Sequence, residues 1–194
     1  MTRHHLAPSI GAVLLLALSG CAAPPQNIYV LNDAPSSGPG ASSQLGLPTI
    51  ELRTVGVPDY LDTTDILRRT GPNQVKPSPS GQWGERLSVG LTDALAAHLA
   101  LLIPGAVIVK SEAAVPSLRL LIQIERFDVA QNGLCTVAAR WQVMARDRHT
   151  ILAAERATLT VTATAATDEA VTAALSRAVA ELSQQIAPAL QGKI

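Results

Sequence analysis

Two segments of the chain place apolar residues at intervals of three and four positions, which is the spacing of one face of an α-helix. The first segment, 83–102, ends before the helix-stopping pair Pro104-Gly105. The second begins at Thr167, a capping residue that precedes two acids at the positive end of the helix dipole. The predicted stripe of the first segment is Leu87, Leu91, Leu95, either His98 or Leu99, and Leu102. The predicted stripe of the second segment is Val171, Leu175, Val179, Leu182 and Ile186.

Alternating or β-branched apolar residues predict strands in most of the remaining chain. These strands span 27–31, 50–57, 106–110 (a brief buried strand), 118–129, 134–145 and 151–163. Residues 65–70 are expected to be extended. The Pro-rich segment 71–81 is expected to be an irregular loop with at most a short strand near Val75. The pattern predicts one compact α/β (α+β) domain, in which two helices pack on a mixed, mostly antiparallel sheet.

The N-terminus has a different pattern, that of a secretory signal. Arg3 precedes an uncharged apolar run at 10–18, which is too short to span a bilayer because a spanning helix needs about 20 apolar residues. The sequence Leu18-Ser19-Gly20-Cys21 resembles the bacterial lipobox. This resemblance implies cleavage before Cys21, a diacylglyceryl thioether on its sulfur and an acyl chain on its nitrogen. The alternative is an ordinary signal peptide with an incidental cysteine.

Three segments follow from this interpretation: a signal peptide at 1–20, a lipidated tether at 21–27, and a domain at 28–194 that contains a flexible Ser/Gly/Pro-rich loop at 32–48. Bacterial sorting commonly uses an aspartate after the lipidated cysteine to retain a protein in the inner membrane. Ala22 therefore favours the periplasmic face of the outer membrane in a Gram-negative envelope. Eight residues lead from Cys21 to Tyr29, a reach of about 25–30 Å that keeps the domain near the membrane.

Charge and composition exclude several functions. Basic and acidic side chains both number 15, and aromatic residues make up 3% of the chain, so neither the charge nor the stacking surface of a nucleic-acid-binding protein is present. The sequence has no phosphate-binding glycine loop, HExxH or GxSxG motif. We read His98 and Cys135 as structural residues and expect no enzymatic activity, no metal, and no cofactor apart from the acyl groups on Cys21.

Two groups of charged residues have alternative interpretations. Arg68 and Arg69 could contact lipid phosphates, although a solvated pair at a strand end is the simpler interpretation. Asp59, Asp62 and Asp65 could suggest calcium, but their spacing lacks the EF-hand ligand pattern and turn-forming aspartates explain them better.

Several motifs together resemble the ABC-type transport auxiliary lipoprotein family, which includes the paraquat-inducible protein C lipoproteins. The motifs follow the lipobox in order over nearly all of the mature chain: Tyr29-Val30-Leu31, Pro58-Asp59-Tyr60-Leu61, Ile66-Leu67-Arg68-Arg69, Trp83-Gly84-Glu85-Arg86-Leu87, 120–127, Ala139-Arg140-Trp141, 174–177 and 182–186. Pro-Asp-Tyr-Leu and Trp-x-Glu-x-Leu are the most specific. The chain departs from the family in its long Ser/Gly/Pro loop and in its second arginine at the Arg68-Arg69 pair.

The resemblance implies a non-enzymatic outer-membrane lipoprotein. Its partners would be a mammalian-cell-entry (MCE) type protein and an inner-membrane transport complex, which together move phospholipid or another lipid across the periplasm. Homo-oligomeric rings are compatible with such systems, although nothing in this sequence indicates one. The alternative is a lipoprotein carrier or assembly chaperone that itself binds an amphiphile in a deep apolar cavity.

Roles for individual residues follow from this picture. Arg69 is the best candidate for a contact with a partner or headgroup, and Arg68 is its neighbour. Asp59 and Tyr60 complete the set of candidate contact residues, and they are also expected to stabilise the corner between strand and loop. Trp83 is expected to support the start of the first helix. Core packing is the favoured role for Trp83, Trp141 and Phe127.

Overall fold

The computed structural model describes residues 26–31, 46–110 and 116–194. The expected signal peptide at 1–20, Cys21, and most of the expected tether (21–27) and loop (32–48) lie outside the described residues. Asn27, the last residue of the expected tether, already belongs to the first strand.

The described residues form eight strands and two long helices. The strands are β1 (Asn27–Tyr29), β2 (Thr49–Leu52), β3 (Asp65–Gly71), β4 (Gln74–Trp83), β5 (Val107–Val109), β6 (Leu118–Ala130), β7 (Leu134–Ala145) and β8 (Ile151–Thr162). The helices are α1 (Leu87–Leu102) and α2 (Asp168–Gln191). Neither helix has the length and apolar character needed to cross a membrane.

Strand β6 organises the sheet because both of its edges are paired along its length. One edge pairs with β7, which pairs in turn with β8, and both pairings are antiparallel. The other edge pairs in parallel with β2 near its start and with β3 near its end. Gly56 bridges these two pairings, because its N–H donates to Ile122 and its carbonyl accepts from Ile124. The remaining strands extend the sheet in the order β1-β4-β3 on one side and β2-β5 on the other.

Both helices lie against one face of this mixed sheet, as the sequence predicted. Cys135 on β7 is on this face and approaches the Val171 carbonyl of α2. The five predicted stripe residues of α2 are all buried. In α1 the buried stripe residues are Leu87, Leu91, Leu95 and Leu99, whereas Leu102 is half-buried. Apolar side chains at the spacing of one helix face therefore pack against the alternating apolar residues of the strands.

The prediction for residues 71–81 was wrong, because most of them belong to the ten-residue strand β4. Proline is tolerated in strands mainly at edges and bulges, since it cannot donate to the sheet. The pairing of β3 with β4 shifts register between Asp65 and Leu67, which face Gln82 and Pro77 respectively. Pro79 lies within this irregular stretch. The loop was predicted because the sequence shows the prolines but not the irregular pairing that surrounds Pro79.

Helix α1 begins at Leu87, four residues later than predicted. Trp83 is the last residue of β4 and lies in the core, 6.1 Å from Phe127 between ring centroids. The predicted start of the helix at Trp83 was therefore wrong, and core packing of Trp83, Trp141 and Phe127 is confirmed. Support of the helix start by Trp83 stays a prediction; its side chain borders the same small pocket as Leu87. Strand β5 is half-exposed rather than buried, because it is the edge strand next to β2.

Candidate interaction surface

The meander β6-β7-β8 separates apolar from polar residues by strand alternation. Val137, Ala139 and Val143 of β7 belong to the core beneath the helices. Arg140 and Gln142, between them in sequence, are exposed and lie on the opposite side of the sheet. No element of the described residues covers this side, which we call the open face.

A groove of about 940 Å³ runs across the open face. Its central row consists of Gln123, Arg140 and Arg156, which are register partners on β6, β7 and β8. Arg53 and Glu125 add further charge to its lining. Since the polar residues stand on three hydrogen-bonded strands, the sheet itself fixes their relative positions.

A buried carboxylate borders the open face at its β2 end. The side chain of Glu51 is 1% exposed, and its two oxygens face two different arginines. Arg119 donates to Oε2 at 3.1 Å, and Arg53 lies 3.4 Å from Oε1. The two arginines compensate the cost of burying this charge. They also leave an excess of positive charge at the surface.

A second buried carboxylate, Asp128, repeats this arrangement further along β6. Its side chain is 1% exposed and accepts hydrogen bonds from Arg69 at 2.8 Å and from Arg126 at 3.0 Å. The hydrogen bond to Asp128 raises the pKa of Arg69, and burial only partly opposes this effect. Tyr60 lies close enough to contribute to the same pKa. Arg69 also donates to the Pro72 carbonyl.

Arg68 points to the other side of the sheet, towards the start of α2. It donates to Asp168 at 2.7 Å and to the Ala166 carbonyl at 3.0 Å. Ser78 and Ser80 of β4 also donate to Asp168, each at 2.7 Å. Burial alone would raise the pKa of the Asp168 carboxyl, but these hydrogen bonds and the Arg68 charge outweigh it, so the pKa lies below its ordinary value.

The four residues predicted to contact a partner or headgroup therefore do not form one cluster. Arg68 and Arg69 lie within β3, on opposite faces, and each is paired with a buried aspartate rather than solvated at a strand end. Asp59 and Tyr60 are exposed in the turn before β3, and Tyr60 is 50% exposed. Within this group the structure brings together Arg69 and Tyr60. Cys21, the predicted lipidation site, lies outside the described residues.

Asp62 and Asp65 have structural roles. Asp62 accepts from the backbone N–H of Ser88 at 3.0 Å and pairs with Arg86 beside the start of α1. Asp65 accepts from the Thr63 hydroxyl. Within 26–31, 46–110 and 116–194, no three His, Cys, Asp or Glu side chains gather as a metal site would require.

The arginines of the groove and the two buried acids of the open face were not predicted from the sequence. A signal was present, because the polar residues at 119, 123, 140 and 142 lie between apolar residues in the predicted strands. This alternation could have assigned Arg140 to the outer face. It could not have shown that Arg53, which follows β2, reaches the same groove.

The space between sheet and helices is well filled near the aromatic residues of the core. The pocket bounded by Leu61, Trp83, Phe127 and Leu175 has a volume of about 10 Å³, about the space of one water molecule. A site for an acyl chain would have to be much larger.

Solved structures with the same fold share little sequence with this chain. A crystal structure of an uncharacterized protein has a TM-score of 0.71 and 18% identity, covering 85% of this chain and 98% of that one. Protein XCC0632 from Xanthomonas campestris, of the DUF330 family, has a TM-score of 0.66 and 15% identity, covering 83% and 92%. The hypothetical protein CT253 from Chlamydia trachomatis has a TM-score of 0.53 and 8% identity, covering 76% and 98%. Identities this low support the fold alone.

A search of curated proteins found no match. The sequence profile of the family described as "ABC-type transport auxiliary lipoprotein component" matches residues 29–187. This match spans the whole described sheet apart from the first two residues of β1, and nearly all of α2. The family is not an enzyme class, and its lipoprotein character suggests a membrane-anchored location in the cell envelope. The chain belongs to the ABC-type transport auxiliary lipoprotein family.

Proposed function

We propose that this protein is an outer-membrane lipoprotein that serves as a docking component of an MCE-type ABC lipid transport system. Membership of the family over residues 29–187 is the observation that carries the proposal. The protein would be held by acyl groups on Cys21 and would contact the MCE-domain protein, which connects it to the inner-membrane complex. Its task would be binding and positioning, and the transported lipid would pass without chemical change.

The filled core supports a docking role over a carrier role. A carrier must enclose the apolar part of its ligand, whereas the pocket beside Trp83 and Phe127 has room for about one water molecule. The open face, by contrast, presents a large polar surface on a rigid sheet. Such a surface suits a partner protein better than an acyl chain.

The position of β1 supports a location close to the membrane. Ile28 and Val30 are 67% and 61% exposed, and both are within ten residues of Cys21. They lie over Gly84, where an added Cβ would come within 3.2 Å of Ile28 and 3.3 Å of Val30. A tether of about 25–30 Å would keep these exposed apolar side chains near the bilayer surface.

Affinity purification from native membranes tests the proposal. The full chain, tagged after the exposed C-terminal Ile194, is extracted in mild detergent and the retained proteins are identified by mass spectrometry. We expect recovery of an MCE-domain protein and of the transporter subunits. Cys21→Ser, which cannot be acylated, is expected to lose the membrane fraction and most of the partner. Recovery of the chain alone with a stoichiometric lipid would favour the carrier.

The membrane assignment has its own test. Ala22→Asp introduces the residue commonly used for inner-membrane retention, directly after the predicted acylated cysteine. On a density gradient of membranes we expect the wild type in the outer-membrane fraction and Ala22→Asp in the inner-membrane fraction. A wild-type protein found in the inner membrane would contradict the outer-membrane assignment while leaving acylation of Cys21 intact.

A further inference from the structure

The open face holds more positive charge than its own acids neutralise. Glu51 and Asp128 are each contacted by two arginines, and Arg140 faces the half-exposed Glu125 at 3.7 Å. Arg156, the register partner of Arg140, adds one more cation to the groove. Six arginines against three acids leave this face positive, whereas the whole chain has a formal charge of zero. The charges are therefore distributed unevenly, with the positive excess on the uncovered side of the sheet.

The exposed arginines are held in place and remain able to bind. Arg140 keeps 66% of its side chain exposed, Arg53 keeps 50% and Arg126 keeps 41%. Each of the three is paired with a carboxylate, which already restricts its side chain. Binding would therefore cost little side-chain entropy. Guanidinium groups suit carboxylates because they can donate two parallel hydrogen bonds.

The geometry of the groove fits an extended chain better than a compact ligand. Neighbouring strands are about 4.8 Å apart, so the row from Gln123 through Arg140 to Arg156 spans about 10 Å. Gln142 follows about 7 Å along β7 from Arg140. Carboxylates at alternate positions of an extended segment are about 7 Å apart. The long side chains of Arg140 and Arg156, which start about 4.8 Å apart on neighbouring strands, can reach two such carboxylates.

A lipid headgroup fits this site less well, because a bound phospholipid brings acyl chains that need an apolar channel. Leu121 and Ala154 are the apolar side chains on the groove side. Ile122 and Trp141, which also border it, are 4% and 2% exposed and belong to the core. The segment 32–45 of this chain, which lies outside the described residues, contains a single acid, Asp33, and so offers little charge complementarity.

We propose that the open-face groove, centred on Arg140 and Arg156, binds an extended acidic segment of the partner protein in the transport system. The identity of that partner rests on the proposed function. The preference of the groove for an acidic segment does not rest on it, because this preference follows from the arginines, the polar lining and the paired strands. The groove is therefore tested first with a synthetic probe and then with the partner.

The probe is a fluorescein-labelled peptide of alternating Glu and Ser, added to the lipidated wild-type protein in detergent. We expect binding that weakens with salt and becomes about tenfold weaker or more in Arg140→Glu/Arg156→Glu. The matched control, Lys76→Glu/Arg177→Glu, makes the same change in net charge at two exposed residues away from the groove. It is expected to bind as the wild type does. Glu125→Gln, which removes an acid from the groove, is expected to bind more tightly.

Three outcomes of the probe experiment would overturn the inference. Equal loss in the groove variant and the matched control would mean that net charge alone drives binding. Absence of binding to the wild type would mean that the groove is no acidic-peptide site. Arginine-dependent binding of phosphatidylglycerol vesicles, without binding of the peptide, would assign the groove to lipid headgroups. Native circular dichroism of both double variants checks that each is folded.

A photo-crosslinking residue placed at the exposed groove position Ala154 connects the site with the partner. We expect a crosslink from position 154 to an Asp/Glu-rich segment of the MCE-domain protein, and none from exposed Ala173 on α2. A crosslink to residues 32–45 or to a second copy of the chain would overturn the assignment of the groove. Peptide binding at the groove without recovery of any MCE-domain protein would overturn the proposed function and leave the acidic-peptide site standing.

Discussion

Arg68 and Asp168 join parts of the chain that are 100 positions apart: Nη2 of Arg68 lies 2.7 Å from Oδ1 of Asp168. This contact connects β3 with the first residue of α2, and Ser78 and Ser80 of β4 complete it. The side chain of Asp168 is 2% exposed, so water cannot replace these donors. The family motif around Arg68 therefore contributes to the position of α2 on the sheet.

Asp168→Ala is expected to destabilise the fold strongly. It leaves the Arg68 guanidinium, which is 27% exposed, and two hydroxyl groups without their acceptor. Removing one partner of such a pair costs about 3 kcal/mol or more. Urea unfolding followed by circular dichroism measures the change. Glu169→Ala is the control, because that acid is exposed in the same helix turn and is worth about 0.3–1 kcal/mol through the helix dipole. Equal losses in both variants would contradict a special role for Asp168.

Acid is expected to weaken the fold through the same carboxylate. The pKa of Asp168 is lowered in the folded state, so the unfolded chain binds protons more readily. Its contribution is complete above the unfolded value of 3.8 and is lost as pH falls through the folded pKa. Unfolding free energy measured by urea titration should therefore decline below about pH 5. In Asp168→Asn this decline should be shallower, and an unchanged slope would assign the acid sensitivity to other groups.

Asp147, in the turn before β8, also has a lowered pKa, so its contribution to stability is also lost in acid. The Thr150 hydroxyl and the backbone N–H groups of Thr150 and His149 donate to its carboxyl and hold its pKa at about 2. Asp147→Asn therefore serves as a second comparison in the acid titration. Because this carboxyl is fully exposed, we expect its removal to change the slope less than removal of Asp168.

Gly81→Ala should disturb the surroundings of Asp168 by steric overlap. A Cβ at Gly81 would lie 2.7 Å from the Tyr29 ring and 2.8 Å from an Asp168 oxygen, and that oxygen is held by hydrogen bonds. Such overpacking costs about 1–3 kcal/mol. At Gly105 no atom lies within 4 Å of an added Cβ, so Gly105→Ala should leave the urea midpoint unchanged or raise it. An equal effect of the two substitutions would refute the close contact.

Cys135 is expected to be inert towards thiol reagents in the folded protein. Burial raises the pKa of its thiol to about 11, although the charges of Arg177 and Arg68 oppose this. The thiolate, which is the reactive form, is then scarce at neutral pH. In Cys21→Ser, maleimide labelling should be slow until urea unfolds the chain. Rapid labelling without denaturant would show that β7 and α2 separate readily.

The sequence predicted the elements that depend on local patterns. The stripe of α2 and the long strands β6 to β8 follow from periodicity over ten or more residues, and the structure confirms them. Strand β4 was missed because its prolines oppose a strand locally, and Pro79 lies where the pairing with β3 is irregular. Trp83 was placed in a helix because its apolar character fits both elements.

The charged surface was less accessible to sequence reasoning. The pairing of Arg69 with Asp128 spans 59 positions and depends on β3 lying beside the end of β6. No local signal indicates that parallel pairing. Adjacent residues of a strand point to opposite faces, so alternation could have shown that Arg68 and Arg69 do not form one cationic site. It could not have identified their partners.

The exposed apolar residues Ile28 of β1 and Val30, directly after β1, provide a last prediction, on membrane contact without the lipid anchor. Cys21→Ser protein is mixed with vesicles of phosphatidylethanolamine and phosphatidylglycerol, and sedimentation measures the bound fraction. Ile28→Ser/Val30→Ser should bind about thirtyfold more weakly, because each of the two apolar side chains contributes about 1 kcal/mol when it is transferred from water. Leu101→Ser/Ile151→Ser removes two other exposed apolar residues and should bind as the parent does. Equal weakening in both variants would mean that general surface hydrophobicity, and not β1, drives contact with the membrane.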